Sequence, residues 1–108
     1  MIRKLAGVAL VLGALAFVTN GVVATAAKSP TEEAIEHTKE AIDHGKQGHA
    51  DVLVKHAEKA LKYAKAEKGD HAAEAAKHLQ GAIDEGKKGN APAGTKHAEE
   101  ALTHLEAK

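Results

Sequence analysis

The sequence predicts an all-α fold, an antiparallel up-down four-helix bundle built from a duplicated helical hairpin. Three observations predict it. Alanine, glutamate and lysine dominate the chain beyond Ala26, and the apolar residues there recur at spacings of three and four, the pattern of amphipathic helices. Glycines divide the periodic sequence into four stretches, at about Pro30 to Gly45, Ala50 to Lys68, His71 to Lys87 and Ala91 to Ala107. The chain also repeats internally, since Glu33 to Ala66 superimposes without gaps on Glu74 to Ala107. The repeat matches Ala41-Ile42-Asp43 with Ala82-Ile83-Asp84 and Lys55-His56-Ala57-Glu58 with Lys96-His97-Ala98-Glu99.

Each stretch carries its own punctuation. The first opens on Ser29-Pro30-Thr31-Glu32, a capping serine with proline at the first helical position and glutamate three residues after the cap. Gly48 precedes the second stretch, Gly69 the third and Gly89 the fourth, where a left-handed residue can end a helix. Asp70 and Asn90 are the expected caps of the third and fourth. Connections this short force consecutive helices to lie antiparallel. No segment alternates as a strand does.

The beginning of the chain follows a different grammar. Arg3 and Lys4 form a positive segment, Leu5 to Val18 an apolar run, and Ala24-Thr25-Ala26 the small residues that signal peptidase requires. Thr19 and Asn20 interrupt the apolar run short of the roughly 20 residues needed to span a bilayer. Residues 1–26 are therefore expected to be a cleaved signal peptide, leaving 27–108 as one exported domain with no membrane association.

Without Arg3 and Lys4, the 15 basic residues become 13, set against 15 acids. The resulting net charge of −2, with no basic cluster, argues against nucleic acid as a partner. Cysteine is absent, so no disulfide supports the domain. Large apolar residues in it are few: Ile35, Ile42, Val52, Leu53, Val54, Leu61, Leu79, Ile83, Leu102 and Leu105. A core this thin is filled out by alanine and is marginal on its own. The domain is expected to be monomeric.

Eight histidines stand out against this background. They form four pairs spaced seven apart, one pair for each helix: His37 and His44, His49 and His56, His71 and His78, His97 and His104. A spacing of seven makes almost two helical turns, so the members of a pair share a face and stand about 10 Å apart along the axis. In the first helix Ala34, Ile35, Thr38, Ala41 and Ile42 define the apolar arc, with His37 and His44 about 90° to one side of its centre. His56 has the same offset in the second. The histidines are thus expected to border the core and to be largely solvent-accessible.

Two ligands of one ion must come within roughly 4 Å of each other, since metal–nitrogen bonds are about 2.0 to 2.1 Å. A spacing of seven does not readily permit that, but a nearer partner is at hand. Three helices carry His-x2-Glu-x3-His: His37, Glu40, His44; His71, Glu74, His78; and His97, Glu100, His104. Each glutamate is three residues from one histidine and four from the other, in reach of both. It can complete a site with either, or ligands can be shared across adjacent helices. In the second helix Val52 replaces the glutamate, and Tyr63 follows His56 by seven. Imidazole and carboxylate suit copper(II), zinc and nickel. With cysteine absent and the one methionine at Met1, copper(I) and iron–sulfur clusters are disfavoured. Copper(II) leads by general affinity order, with zinc and nickel weaker.

The histidine heptads, the exported four-helix layout and the alanine-rich Lys-His-Ala-Glu segments together resemble the bacterial small metal-binding protein family. Ile42-Asp43-His44-Gly45-Lys46-Gln47-Gly48-His49 and Lys96-His97-Ala98-Glu99-Glu100-Ala101-Leu102 are similar to its repeating units. The resemblance spans about Thr31 to Lys108. It implies a periplasmic four-helix bundle that binds several copper(II) ions and accepts other divalent metals, in metal buffering or resistance. By position it makes all eight histidines candidate ligands. Tyr63, Glu85 and Asn90 depart from it, standing where a histidine-rich relative often has another histidine.

Metal binding without catalysis is therefore the function expected. A structural or stress-protective helical protein, acting through solvation or partner contacts, is the alternative. Nothing resembles a nucleophile with its base, a phosphate loop or a CxxCH haem attachment site.

Overall fold

Ser29 starts the first helix as the sequence predicts. Its hydroxyl accepts from the Glu32 N–H at 3.1 Å, and the Glu32 carboxylate accepts from the Ser29 N–H at 2.9 Å, with Pro30 following the cap. The computed structural model describes residues 28–107, so the signal segment read at Met1 to Ala26 lies outside the described residues. Four helices fill them: α1 (Pro30–Lys46), α2 (Ala50–Ala66), α3 (Asp70–Lys87) and α4 (Ala91–Glu106), with no strand among the described residues.

Gly48 and Gly89 take φ values of 84° and 81°, the left-handed conformation that a glycine adopts without a Cβ penalty. The Asn90 side chain caps α4 by accepting from the Ala93 N–H. Asp70 is not the cap expected of it. Gly69, with φ 113°, occupies the cap position and offers no side chain, so Asp70 is already the first residue of α3. Its carboxylate sits in the first turn, where the positive end of the helix dipole favours it.

α1 packs on α2, α2 on α3, α3 on α4, and α4 back on α1, a helical bundle closed around one core. That core is mostly alanine. Leu53, Leu79 and Ile83 are its largest fully buried apolar side chains, and Ala41, Ala57, Ala82 and Ala98 are fully buried in the same cluster. Thr38 and Thr95 are also buried, and each satisfies its hydroxyl within its own helix by donating to the carbonyl four residues back, Ala34 and Ala91 respectively.

Small residues set how closely the helices approach. Gly45 and Gly86, equivalent positions of the internal repeat, are both buried inside helices. A Cβ on Gly45 would collide with Thr95 Oγ1 and lie 2.6 Å from Leu53 Cδ1; one on Gly86 would lie 2.5 Å from Val54 Cγ2. In a helix, Gly→Ala ordinarily gains about 1 kcal/mol. Overpacking a filled core costs about 1–3 kcal/mol, and the collision at Gly45 involves a threonine held by its hydrogen bond. Gly45→Ala is therefore expected to lower the melting temperature by several degrees in a circular-dichroism melt, whereas a rise would show that this glycine does not limit helix approach.

Candidate metal centre

The histidines of adjacent helices meet ring to ring. Along the α1–α2 seam the order is Tyr63, His37, His56, His44, His49, with successive centroids 5.9, 5.9, 5.5 and 5.8 Å apart. Along the α3–α4 seam it is His71, His104, His78, His97, at 6.0, 5.3 and 6.1 Å. Rings from the two helices alternate, and residue numbers rise along one helix as they fall along the other. Where the first half of the repeat has His44 and His49, the second has Glu85 and Asn90, and Asn90 Nδ2 donates to Glu85 Oε1 at 3.1 Å.

This interleaving corrects the expectation that the histidines are largely accessible. His49 and His71 are exposed, but the other six are half-buried, with side-chain exposures of 18% for His37 and 20% for His56. Each ring is covered by those of the facing helix, a contact that one helix considered alone does not reveal. The Nδ1 atoms of His37, His44, His56 and His97 are buried without a hydrogen-bond partner among the described residues. A buried polar atom left unpaired costs about 1–3 kcal/mol, so these nitrogens favour anything that satisfies them.

Three groups of side chains bring ligand atoms within 4.8 Å of one another: His37, Glu40 and His56; His78, His97 and Glu100; and Glu74, His78 and His104. All three glutamates singled out in the sequence take part. The in-helix His-x2-Glu-x3-His triads do not: each group draws on two helices, and His44, His49 and His71 belong to none of them. For Glu40 and Glu100 the adjacent helix supplies the nearer partner, His56 at 3.4 Å and His78 at 3.5 Å, in place of the second histidine of the same helix.

Two of the groups share one geometry. Glu40 Oε1 lies 3.2 Å from His37 Nδ1 and 3.4 Å from His56 Nδ1, and Glu100 Oε1 lies 3.5 Å from both His78 Nδ1 and His97 Nδ1. None of these contacts meets hydrogen-bond geometry at His37, His56 or His97. Ligands bonded at about 2.0–2.1 Å stand roughly 3.3 Å apart at a tetrahedral angle and roughly 2.9 Å apart in a square plane. Each carboxylate oxygen thus stands near ligand spacing from two imidazole nitrogens, and the ligand atoms of each group all lie within 4.8 Å of one another.

A family profile described as small metal-binding protein matches residues 3–108. The chain belongs to this family. None of the curated proteins compared with the chain matches it. Membership in the small metal-binding protein family and the His/Glu groups agree on the general activity, the binding of metal ions. Among the described residues, no helix is long and apolar enough to cross a membrane.

Equivalent positions of the repeat show how the two seams differ. His37 corresponds to His78 and His56 to His97, but Glu40 corresponds to Gly81 and Glu100 to Lys59. The carboxylate therefore comes from α1 in one seam and α4 in the other. A Cβ at Gly81 would stand 3.0 Å from His97 Nδ1, so the glycine leaves room for that ring. Sequence reasoning missed Glu33, whose Oε1 is 3.9 Å from His37 Nε2. The signal was present, since the repeat places Glu33 on Glu74.

Burial lowers the pKa of His56 below its usual 6.5, with the Glu40 carboxylate opposing and His44 and His37 adding to the effect. The folded chain thus holds fewer protons at His56 than the unfolded chain. Its contribution to stability rises with pH and is lost as the pH falls through 6.5 and below. Denaturant melts of the metal-free protein are expected to show a smaller loss of stability between pH 7 and pH 5 in His56→Gln than in the wild type. An equal loss would contradict this account.

Proposed function

We propose that this protein binds divalent transition-metal ions, chiefly copper(II), and that it serves in periplasmic metal buffering, sequestration or resistance without catalysis. The observation that carries the reading is one carboxylate oxygen set 3.2–3.5 Å from two imidazole Nδ1 atoms, in both seams. Copper(II) heads the affinity order for imidazole and carboxylate ligands. Its square-planar preference asks the ligands to close by a few tenths of an ångström, which the half-exposed Glu40 and Glu100 side chains can follow. Zinc and nickel bind the same ligands more weakly, because three protein ligands with open positions impose little geometric selection.

The remaining histidines, His44, His49 and His71, extend the ring rows and supply further imidazoles at their ends. The opposed ring order along each seam supports an antiparallel, up-down arrangement of two related hairpins acting as a monomer. Export rests on the segment before Ala27, and periplasmic residence on the family resemblance. The net charge of −2 in the exported part gives nucleic acid no purchase.

Equilibrium dialysis of the exported protein against copper(II), zinc and nickel tests the reading. At pH 7 more than one copper per chain is expected, and sharply less at pH 5, because imidazole must shed its proton to bind. Fewer than one copper per chain at pH 7 would sink the metal function and leave a structural helical protein. Replacing His37, His44, His97 and His104 with glutamine should remove part of the capacity while the circular-dichroism spectrum stays helical.

A further inference from the structure

Of the eight histidines, His78 alone belongs to two of the three ligand groups. One group adds His97 and Glu100, the other His104 and Glu74. His97 and His104 are two helical turns apart on α4, about 10 Å along its axis, so one ion cannot hold both. Their rings flank His78 at 6.1 and 5.3 Å. The two groups therefore lie on either side of one imidazole.

An imidazole carries two nitrogens on different ring edges. His37, the equivalent of His78 in the first half of the repeat, shows how the protein aims them. Its Nδ1 lies 3.2 Å from Glu40 and its Nε2 lies 3.9 Å from Glu33, so the two nitrogens face different carboxylates. Glu33 corresponds to Glu74, and His78 Nδ1 already faces Glu100 at 3.5 Å. We propose that His78 bridges two metal ions, through Nδ1 to the ion of His97 and Glu100 and through Nε2 to the ion of Glu74 and His104.

The chemistry balances without any redox partner. The first ion takes the lone pair of Nδ1 while the proton rests on Nε2. The second ion bonds Nε2, and that proton passes to water. The ring is left as an imidazolate carrying one negative charge between two dications, which reduces their mutual repulsion. The α1–α2 seam lacks an equivalent pair, because Tyr63 takes the place that His104 holds in the other seam and gives the outer group of His37 no second imidazole.

The inference rests on the proposed metal binding, and copper(II) separates the two. The exported chain is saturated with copper(II), its copper content is measured chemically, and its unpaired spins are counted by electron paramagnetic resonance at liquid-helium temperature. Two copper(II) ions joined by an imidazolate couple antiferromagnetically and fall silent. Spins are expected to number two fewer than coppers in each chain. Glu74→Gln combined with His104→Gln should release one copper, and the spin count should then equal the copper count. His78→Gln should likewise abolish the silent pair, with helicity checked by circular dichroism. A wild-type spin count equal to its copper count, or a double variant that keeps its silent pair, would overturn the bridge while leaving metal binding intact. Failure to retain copper at all would instead remove the reading beneath it.

Discussion

The close approach of alanine-rich helix faces is the constraint on which the rest of this structure depends. A histidine ring extends only a short way from its backbone, so rings from two helices meet at 5.3–6.1 Å only if the helices themselves are drawn together. Ala41, Ala57, Ala82 and Ala98 are fully buried in the core, and glycines let the seams close: Gly45 of α1 faces Leu53 of α2, while Gly81 of α3 faces His97 of α4 and Gly94 of α4 faces the Ala82 carbonyl of α3. Larger core side chains would bury more apolar surface, at ~25 cal/mol per Å². They would also push the helices apart and separate the imidazoles. A thin core and a dense histidine seam are thus two consequences of one choice of side-chain size.

The local part of this organisation was legible in the sequence. Ser29-Pro30-Thr31-Glu32 is a capping box whose signals are adjacent in the chain, and the left-handed Gly48 and Gly89 act through their own backbone. At Asp70 two local signals competed, and the left-handed Gly69 won, because the turn it makes brings Asp70 into the helix one residue early. The site was legible by composition but not by pairing. Helical periodicity fixed the face of His37 and Glu40, and therefore their mutual reach. It could not say that His56 would come within 3.4 Å of Glu40, a distance created by two helices packing rather than by one helix winding. For the same reason the coverage of one ring by the next was invisible to a single helical wheel.

The two halves of the repeat show which part of the ligand geometry is constrained. The cross-helix histidine pair recurs as His37 with His56 and as His78 with His97, while the carboxylate changes helix, from Glu40 on α1 to Glu100 on α4. In each case it stands three residues after one histidine of the pair and ends between the two Nδ1 atoms. Either member can be followed by the glutamate, because the seam presents the two imidazoles almost equivalently. In these two groups the recurring feature is the imidazole pair, completed by a glutamate three residues after one of its members, whereas in the third group Glu74 stands four residues before His78.

Stability and ligand capture draw on the same unsatisfied atoms. Four buried Nδ1 atoms lack hydrogen-bond partners among the described residues, in a domain with few large side chains and no disulfide to offset that cost. Under the proposed function, an ion held by His37, Glu40 and His56, or by His78, His97 and Glu100, satisfies the unpaired Nδ1 atoms of that group and joins two helices across the seam in one step. Ligand binding to the folded state alone adds RT ln(1 + [L]/Kd), about 2.7 kcal/mol at one hundred times Kd, a large share of the stability of any small domain. Under the proposed function, the weakness that alanine and unpaired imidazole impose on the metal-free bundle is the same quantity that makes its stability responsive to metal.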